Sequence, residues 1–310
     1  MIMFGECHAH LLMDGVNYKK AVELHKDSVN DADIRAKFSE YAKREIFYVR
    51  DGGDSYGVSQ RAADLAGEYG ITYRTPVFAI HKKGHYGGIV GRAFSDWKEY
   101  EALVKEVRER GGNFIKVMFS GIMDFSNCGA VTEPPLLQEE IREMIHIAHE
   151  EGFAVMAHVN GAVAVKDAVE AGVDSVEHGN FMDEACLQAL AESGTVWVPT
   201  FVTITNLIGG GRFDDDALRC LKREQGERIR RGFELGVKIA PGSDAGAWRV
   251  LHGQGLLDEY KELLHLMTEP EKGEENREEN SSKVLKKFVL TKAELDQSLK
   301  EAEKIIRRKF

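Results

Sequence analysis

Short runs of apolar, largely β-branched and aromatic residues alternate along the chain with longer stretches whose apolar positions recur three and four apart. The runs fall at 2–8, 45–50, 71–80, 114–119, 154–159, 174–178, 196–202 and 237–242, and their length and composition predict strands. Between them, 55–69, 96–110, 137–151, 162–171, 183–193 and 214–235 carry the helical period. Gly70, Gly111, Gly152, Gly172, Gly194 and Gly236 each follow the last periodic residue, as left-handed caps leading into the next strand would. The strands recur about every 34 residues, the size of one βα unit. Eight such units in series predict an α/β fold closed into a (β/α)8 TIM barrel rather than an open sheet.

This pattern divides the chain into a barrel over 1–267, an acidic linker over 268–282 and a C-terminal amphipathic helix over 283–310. Thr291 and Glu294 fit a capping box that opens the last helix. Leu295, Leu299, Ala302 and Ile306 then give it one apolar stripe, which must be covered by the barrel or a neighbouring subunit.

Composition changes the picture little. The 310 residues are 43% hydrophobic and 30% charged, as in ordinary globular chains. A net charge of −10 argues against a nucleic-acid partner. No apolar run approaches the roughly 20 residues that span a bilayer, so no membrane association is expected. No basic leader precedes the first motif, and Cys7, Cys128, Cys186 and Cys220 show no pairing pattern, so reduced thiols and a cytoplasmic location are expected. A homo-oligomer stays open.

Candidate chemistry gathers at the carboxyl ends of the strands. His8 and His10 stand in Cys7-His8-Ala9-His10, and Lys116 in Ile115-Lys116-Val117-Met118. His158 follows Met156-Ala157, His178 follows Val176-Glu177, and Asp244 stands in Gly242-Ser243-Asp244-Ala245-Gly246. Strict alternation aims His8 and His10 to one side and Cys7 and Ala9 to the other. Two imidazoles so spaced can hold one divalent ion, though most such pairs are ordinary histidines. A lysine inside an apolar strand is either paired with a barrel carboxylate or desolvated. In the second case its amine can capture CO2 as a carbamate and bridge two ions. An Asp between glycines is usually a turn former, but it can also ligate metal and accept a proton. Conjunction decides between these readings. Side chains ending parallel barrel strands converge on one face, and six candidates occupy that position.

With these residues in place, the chain resembles the amidohydrolase superfamily, in particular its imidazolonepropionase-related and prolidase-like branch. The family's strand 1 His-x-His matches His8 and His10, its strand 4 lysine Lys116, its strand 5 and 6 histidines His158 and His178, and its strand 8 aspartate Asp244. Val49-Arg50-Asp51-Gly52-Gly53 and the stretch from Glu170 to Gly179 match as well, and the likeness covers roughly 2–267. It implies two divalent ions bridged by hydroxide and by carboxylated Lys116. Zinc suits these ligands first, with manganese, cobalt or iron as alternatives. It also implies a small-molecule substrate whose amide bond is cut by metal-bound hydroxide, with Asp244 as the proton carrier. Relatives in this branch carry a β-sandwich that is not evident here, and Asn160 stands where many have a second histidine.

The loops suggest His81, Ser120, Asn160 and Arg249 as substrate contacts, with Arg249 or Lys82 placed to clamp a carboxylate. The substrates expected are a dipeptide, an N-acyl amino acid or a cyclic amide. The alternatives are a mononuclear imidazolonepropionase- or deaminase-like hydrolase of a ring C–N bond, a lactonase, and a non-catalytic metal-binding barrel.

Overall fold

The computed structural model describes residues 4–268 and 288–310. In chain order the strands are β1 (Glu6–Ala9), β2 (Tyr48–Asp51), β3 (Thr72–Arg74), β4 (Ala79–Lys82), β5 (Gly91–Phe94), β6 (Ile115–Met118), β7 (Val155–Val159), β8 (Ser175–His178), β9 (Val196–Val198) and β10 (Lys238–Ile239). The helices are α1 (Tyr18–His25), α2 (Asp31–Ala42), α3 (Val58–Leu65), α4 (Trp97–Glu109), α5 (Gln138–Glu150), α6 (Ala162–Glu170), α7 (Glu184–Glu192), α8 (Val202–Thr205), α9 (Asp215–Leu235), α10 (Gln254–Thr268) and α11 (Lys292–Lys309).

All paired strands are parallel, in the orders β1-β2-β3 and β10-β9-β8-β7-β6-β4-β5. The two sets join into a TIM-type barrel at both seams. At one seam, β3 and β4 are successive pieces of one segment. The 71–80 run, expected as a single strand, breaks at Pro76, which has no N–H to donate, and Val77, whose φ is 67°. At the other seam, the chain after β10 lies along β1. Cys7 N donates to Pro241 O (3.1 Å), Asp244 N to His8 O (2.8 Å) and His10 N to Ala245 O (2.7 Å). β5, not foreseen from the sequence, takes the free edge of β4.

Side chains alternate about the sheet. Ile115 and Val117 join the core between strands and helices, while Phe114 faces the barrel interior. Burial on both faces explains why each strand reads as a nearly continuous apolar run. Five of the six expected glycine caps have positive φ. Gly194 does not, because α7 ends at Ser193 in extended backbone.

The Thr291–Glu294 capping box forms, and α11 packs against β9 and β10. Its Ala302 and Ile306, with Phe310, join Tyr48, Phe114, Met156 and Val196 to fill the lower barrel. Among the described residues no β-sandwich occurs. The acidic linker expected at 268–282 lies outside the described residues except for Thr268, the end of α10. The cysteine expectation is corrected. Cys128 and Cys220, 92 residues apart, form a disulfide, a pairing made by tertiary approach that spacing along the chain cannot signal. Cys7 and Cys186 are free and buried.

Candidate metal centre

Two local departures from strand alternation build the site. In β1 the register shifts so that Glu6 pairs with Val49 and Ala9 with Asp51; Cys7 and His8 together oppose Arg50 alone. This is a β-bulge, which bends the strand and re-aims side chains. Cys7, expected to point away from the histidines, therefore enters the barrel interior beside Tyr48 and Phe114, while Ala9 stays on the outer face. In β8, Glu177 faces the interior, so the next residue should face out. His178 instead has φ 66°, in the left-handed region, and turns back toward the site. Asp244 has φ 58°. Such backbone costs on the order of 1–3 kcal/mol per residue and persists where surrounding bonds enforce it. Here Trp197 Nε1 and Gln225 Nε2 each donate to His178 O at 2.9 Å, and Asp244 N donates to His8 O.

Three of the four imidazoles have one nitrogen hydrogen-bonded to the protein, and the fourth, His8, turns one toward a carboxylate. His8 Nδ1 lies 2.9 Å from Glu177 Oε2, close but not aligned as a hydrogen bond. His10 Nδ1 meets Gly53 O at 3.4 Å, His158 Nε2 meets Gly121 O at 3.2 Å, and His178 Nδ1 meets Thr200 Oγ1 at 2.7 Å. That leaves the second nitrogen of each ring for a cation, the arrangement by which outer partners fix a ligand's orientation. His8 Nε2 and His10 Nε2 each lie 3.6 Å from Asp244 Oδ1, and donor atoms of these three residues fall within 4.8 Å of one another. The rings of His8 and His178 are 5.2 Å apart, and those of His158 and His178 4.6 Å.

Burial dominates the electrostatics. It pushes His10 and His158 down to about 3, and His8 and His178 well below the ordinary imidazole value, with repulsion from neighbouring cations adding to the effect. All four rings are thus neutral at pH 7, the form that ligates metal. Burial likewise lowers the Lys116 ammonium and raises the Asp244 carboxyl, each against the attraction between them. The expected alternative, Lys116 paired with a barrel carboxylate, is not what forms. Its Nζ is buried without a hydrogen-bond partner, as are His8 Nε2 and Asp244 Oδ1. Orphaned buried polar atoms are costly, and three that line one cavity fit a cation-binding centre.

A cavity of about 800 Å³ opens over these residues, and all six candidates line it. Of the residues expected to contact substrate, Asn160 lies on its wall; His81, Ser120 and Arg249 do not. Ser120 Oγ accepts from Asn160 N (2.8 Å) and donates to Gly121 O (2.9 Å). Asn160 Nδ2 donates to Gly121 O at 3.1 Å, so the pair braces the turn that holds His158. His81 turns to the carbonyl of Lys82. Lys82 pairs with Glu140. Arg249 donates to Asn206 O at 2.6 Å, and the loop geometry at φ 67° carries it off the wall.

Sequence reasoning gave no role to Glu177, Arg50 or Thr200. Arg50 Nη2 donates to Glu177 Oε1 at 2.8 Å, both fully buried on the barrel axis. The available signal was a charge of each sign inside an apolar strand.

Comparison with known proteins places the fold. An uncharacterized protein of Mycobacterium tuberculosis is 29% identical over 178 residues, 55% of this chain and 46% of that protein. Ochratoxinase of Aspergillus niger is 27% identical over 192 residues, 59% of this chain and 38% of the enzyme. The chain thus spans less than half the length of these relatives in the matched stretches. Among solved structures, a Xaa-Pro dipeptidase with methionine bound in its active site superposes with a TM-score of 0.66 at 24% identity, covering 86% of this chain and 70% of the other. The A. niger ochratoxinase structure gives a TM-score of 0.66 at 20% identity, covering 85% and 69%. Residues 62–288 match the amidohydrolase family, and with that match covering most of its length the chain belongs to the amidohydrolase family.

Proposed function

We propose that the chain is a metal-dependent hydrolase of amide bonds with two divalent ions, zinc first among them. His8, His10 and Asp244 would hold one ion, His158 and His178 the other, and Lys116, as its carbamate, would bridge them. The observation that carries this reading is the set of orphaned buried atoms, Lys116 Nζ, His8 Nε2 and Asp244 Oδ1, beside four neutral imidazoles. A buried, unpaired amine that burial drives toward its free-base form is the form that captures CO2. The six residues match the family pattern in order, and neighbours named as a dipeptidase and as ochratoxinase share the fold.

Ions bound there would supply a water acidified toward neutrality and a polarised scissile carbonyl. The chain's own groups do the rest. Asp244 Oδ1 takes the proton from the attacking water and passes it to the leaving nitrogen. Glu177 and Thr200 hold His8 and His178 in their working rotations, and the apolar cavity wall excludes bulk water. Asn160, on that wall, is the proposed polar contact to substrate; small molecules fit the cavity.

Elemental analysis should find about two ions per chain, and mass analysis under mild conditions a CO2 increment on the peptide containing Lys116. Asp244→Asn should retain part of its metal yet lose on the order of 10²–10⁴-fold in turnover against dipeptide, N-acyl amino acid or cyclic amide substrates. Wild-type turnover by the metal-loaded variant removes the proton-carrier role. The compact trio of His8, His10 and Asp244 supports a second reading, a mononuclear hydrolase of a ring C–N bond. One ion per chain and no increment at Lys116 would select it.

A further inference from the structure

The cavity wall is lopsided in charge. Although the chain carries a net charge of −10, Asp244 is the sole carboxylate among the cavity's lining residues. Away from the centre the wall is largely apolar, with Met123, Phe125, Leu207 and Phe213 among its residues, but it includes the cations Lys19 and Arg212. Arg212 is the better placed. Its guanidinium carbon lies 5.2 Å from the Phe213 ring centroid and 5.0 Å from that of Trp248, both on the same wall. Among the described residues no carboxylate pairs with it. Elsewhere on the surface the arginines are commonly neutralised, as Arg35 is by Glu68, Arg61 by Asp31 and Arg231 by Glu184.

The wall that carries Arg212 is tied down. Phe213 packs on Phe125 at 5.2 Å and on Trp248 at 6.2 Å. The Cys128–Cys220 disulfide joins the loop after β6 to α9, just beyond this segment. A guanidinium held against aromatic faces loses less freedom on binding an anion, and its planar fork matches a carboxylate. A cavity of about 800 Å³ also exceeds what two small amino acids need and suits a ligand of drug-like size.

We infer that Arg212 is a specificity-determining residue that anchors a carboxylate of the substrate, and that the substrate class is an amide bearing one free carboxylate and one bulky apolar or aromatic group. The apolar group lies on the Phe125–Phe213–Trp248 wall, and the amide reaches the centre beneath. This assignment rests on the amidohydrolase reading for the reacting bond, but not for the binding step.

The test is calorimetric binding to metal-loaded protein of N-benzenesulfonyl-L-phenylalanine, whose sulfonamide resists hydrolysis, and of its neutral primary carboxamide. Wild type should bind the acid roughly 10- to 100-fold more tightly than the carboxamide, the scale of a charge-assisted hydrogen-bond pair. Arg212→Ala should remove that preference by weakening the acid far more than the carboxamide, and Arg212→Lys should restore part of it. Equal affinities in wild type, an equal weakening of both probes in Arg212→Ala, or a preference abolished by Lys19→Ala instead would each overturn the assignment. If both probes fail to bind while the enzyme cleaves amides, the inference falls and the hydrolase reading stands. If Arg212-dependent binding occurs without hydrolysis of any amide, the anchoring stands and the hydrolase reading falls.

Discussion

At the scale of single residues, the site depends on atoms that are absent as much as on those present. Gly52 follows β2, and a Cβ built on it would lie 2.2 Å from His10 Cε1 and 2.6 Å from His10 Nε2. The ring would have to move, and its Nδ1 contact with Gly53 O would break. Gly52→Ala is therefore expected to cut bound metal by half or more by elemental analysis, while circular dichroism stays that of a folded barrel. Full metal content in a folded Gly52→Ala protein would remove His10 from the ligand set. Little of this was legible in the sequence. His8 and His10 could be paired by spacing, but the β-bulge that brings Cys7 to the same side lies in the pairing with β2, where Cys7 and His8 oppose Arg50 alone. The left-handed turns at His178 and Asp244 were equally hidden, because histidine and aspartate, though enriched at positive φ among non-glycine residues, adopt it at only a minority of their positions.

At the scale of elements, the sequence was informative wherever one element's own chemistry decides its end. Helices capped by Asp96, Asp183 and Thr291 start where their side chains satisfy the first free N–H groups. Where tertiary contacts decide, the reading ran out: at β5 on the edge of β4, and at the Cys128–Cys220 link. Of the four expected substrate contacts, His81, Ser120 and Arg249 lie off the cavity wall, and loop residues such as Arg249 and Arg212 are told apart only by what they pack against. The apolar stripe of α11 was legible, but its docking place under the barrel was not. Ile306 is fully buried there with Phe310 and Met156. Ile306→Ala should cost about 2–5 kcal/mol in urea unfolding, as buried Ile-to-Ala changes do. A loss under 1 kcal/mol would mean that α11 is not part of the barrel's cooperative core.

At the scale of the whole molecule, a column of contacts runs along the barrel axis from α11 to the metal centre. Phe310 packs under Arg50, whose Cζ lies 4.5 Å from the ring centroid. Arg50 pairs with Glu177, and Glu177 also meets His8, which reaches toward Asp244. The two ends of this column should respond differently to damage. Removing the charge of Glu177 leaves Arg50 buried without its partner, which costs about 3–5 kcal/mol. It also frees His8 to rotate, and loss of such an outer partner typically weakens metal binding roughly 10- to 100-fold. Glu177→Gln should therefore lower both unfolding free energy and zinc affinity, the latter measured by competition with a chelator. Ile306→Ala should lower the first alone, because it touches the floor and not the ring that faces the cation. If Glu177→Gln binds zinc as tightly as wild type, the carboxylate serves Arg50 only, and His8 is aimed by the bulge in β1 without help from the axis.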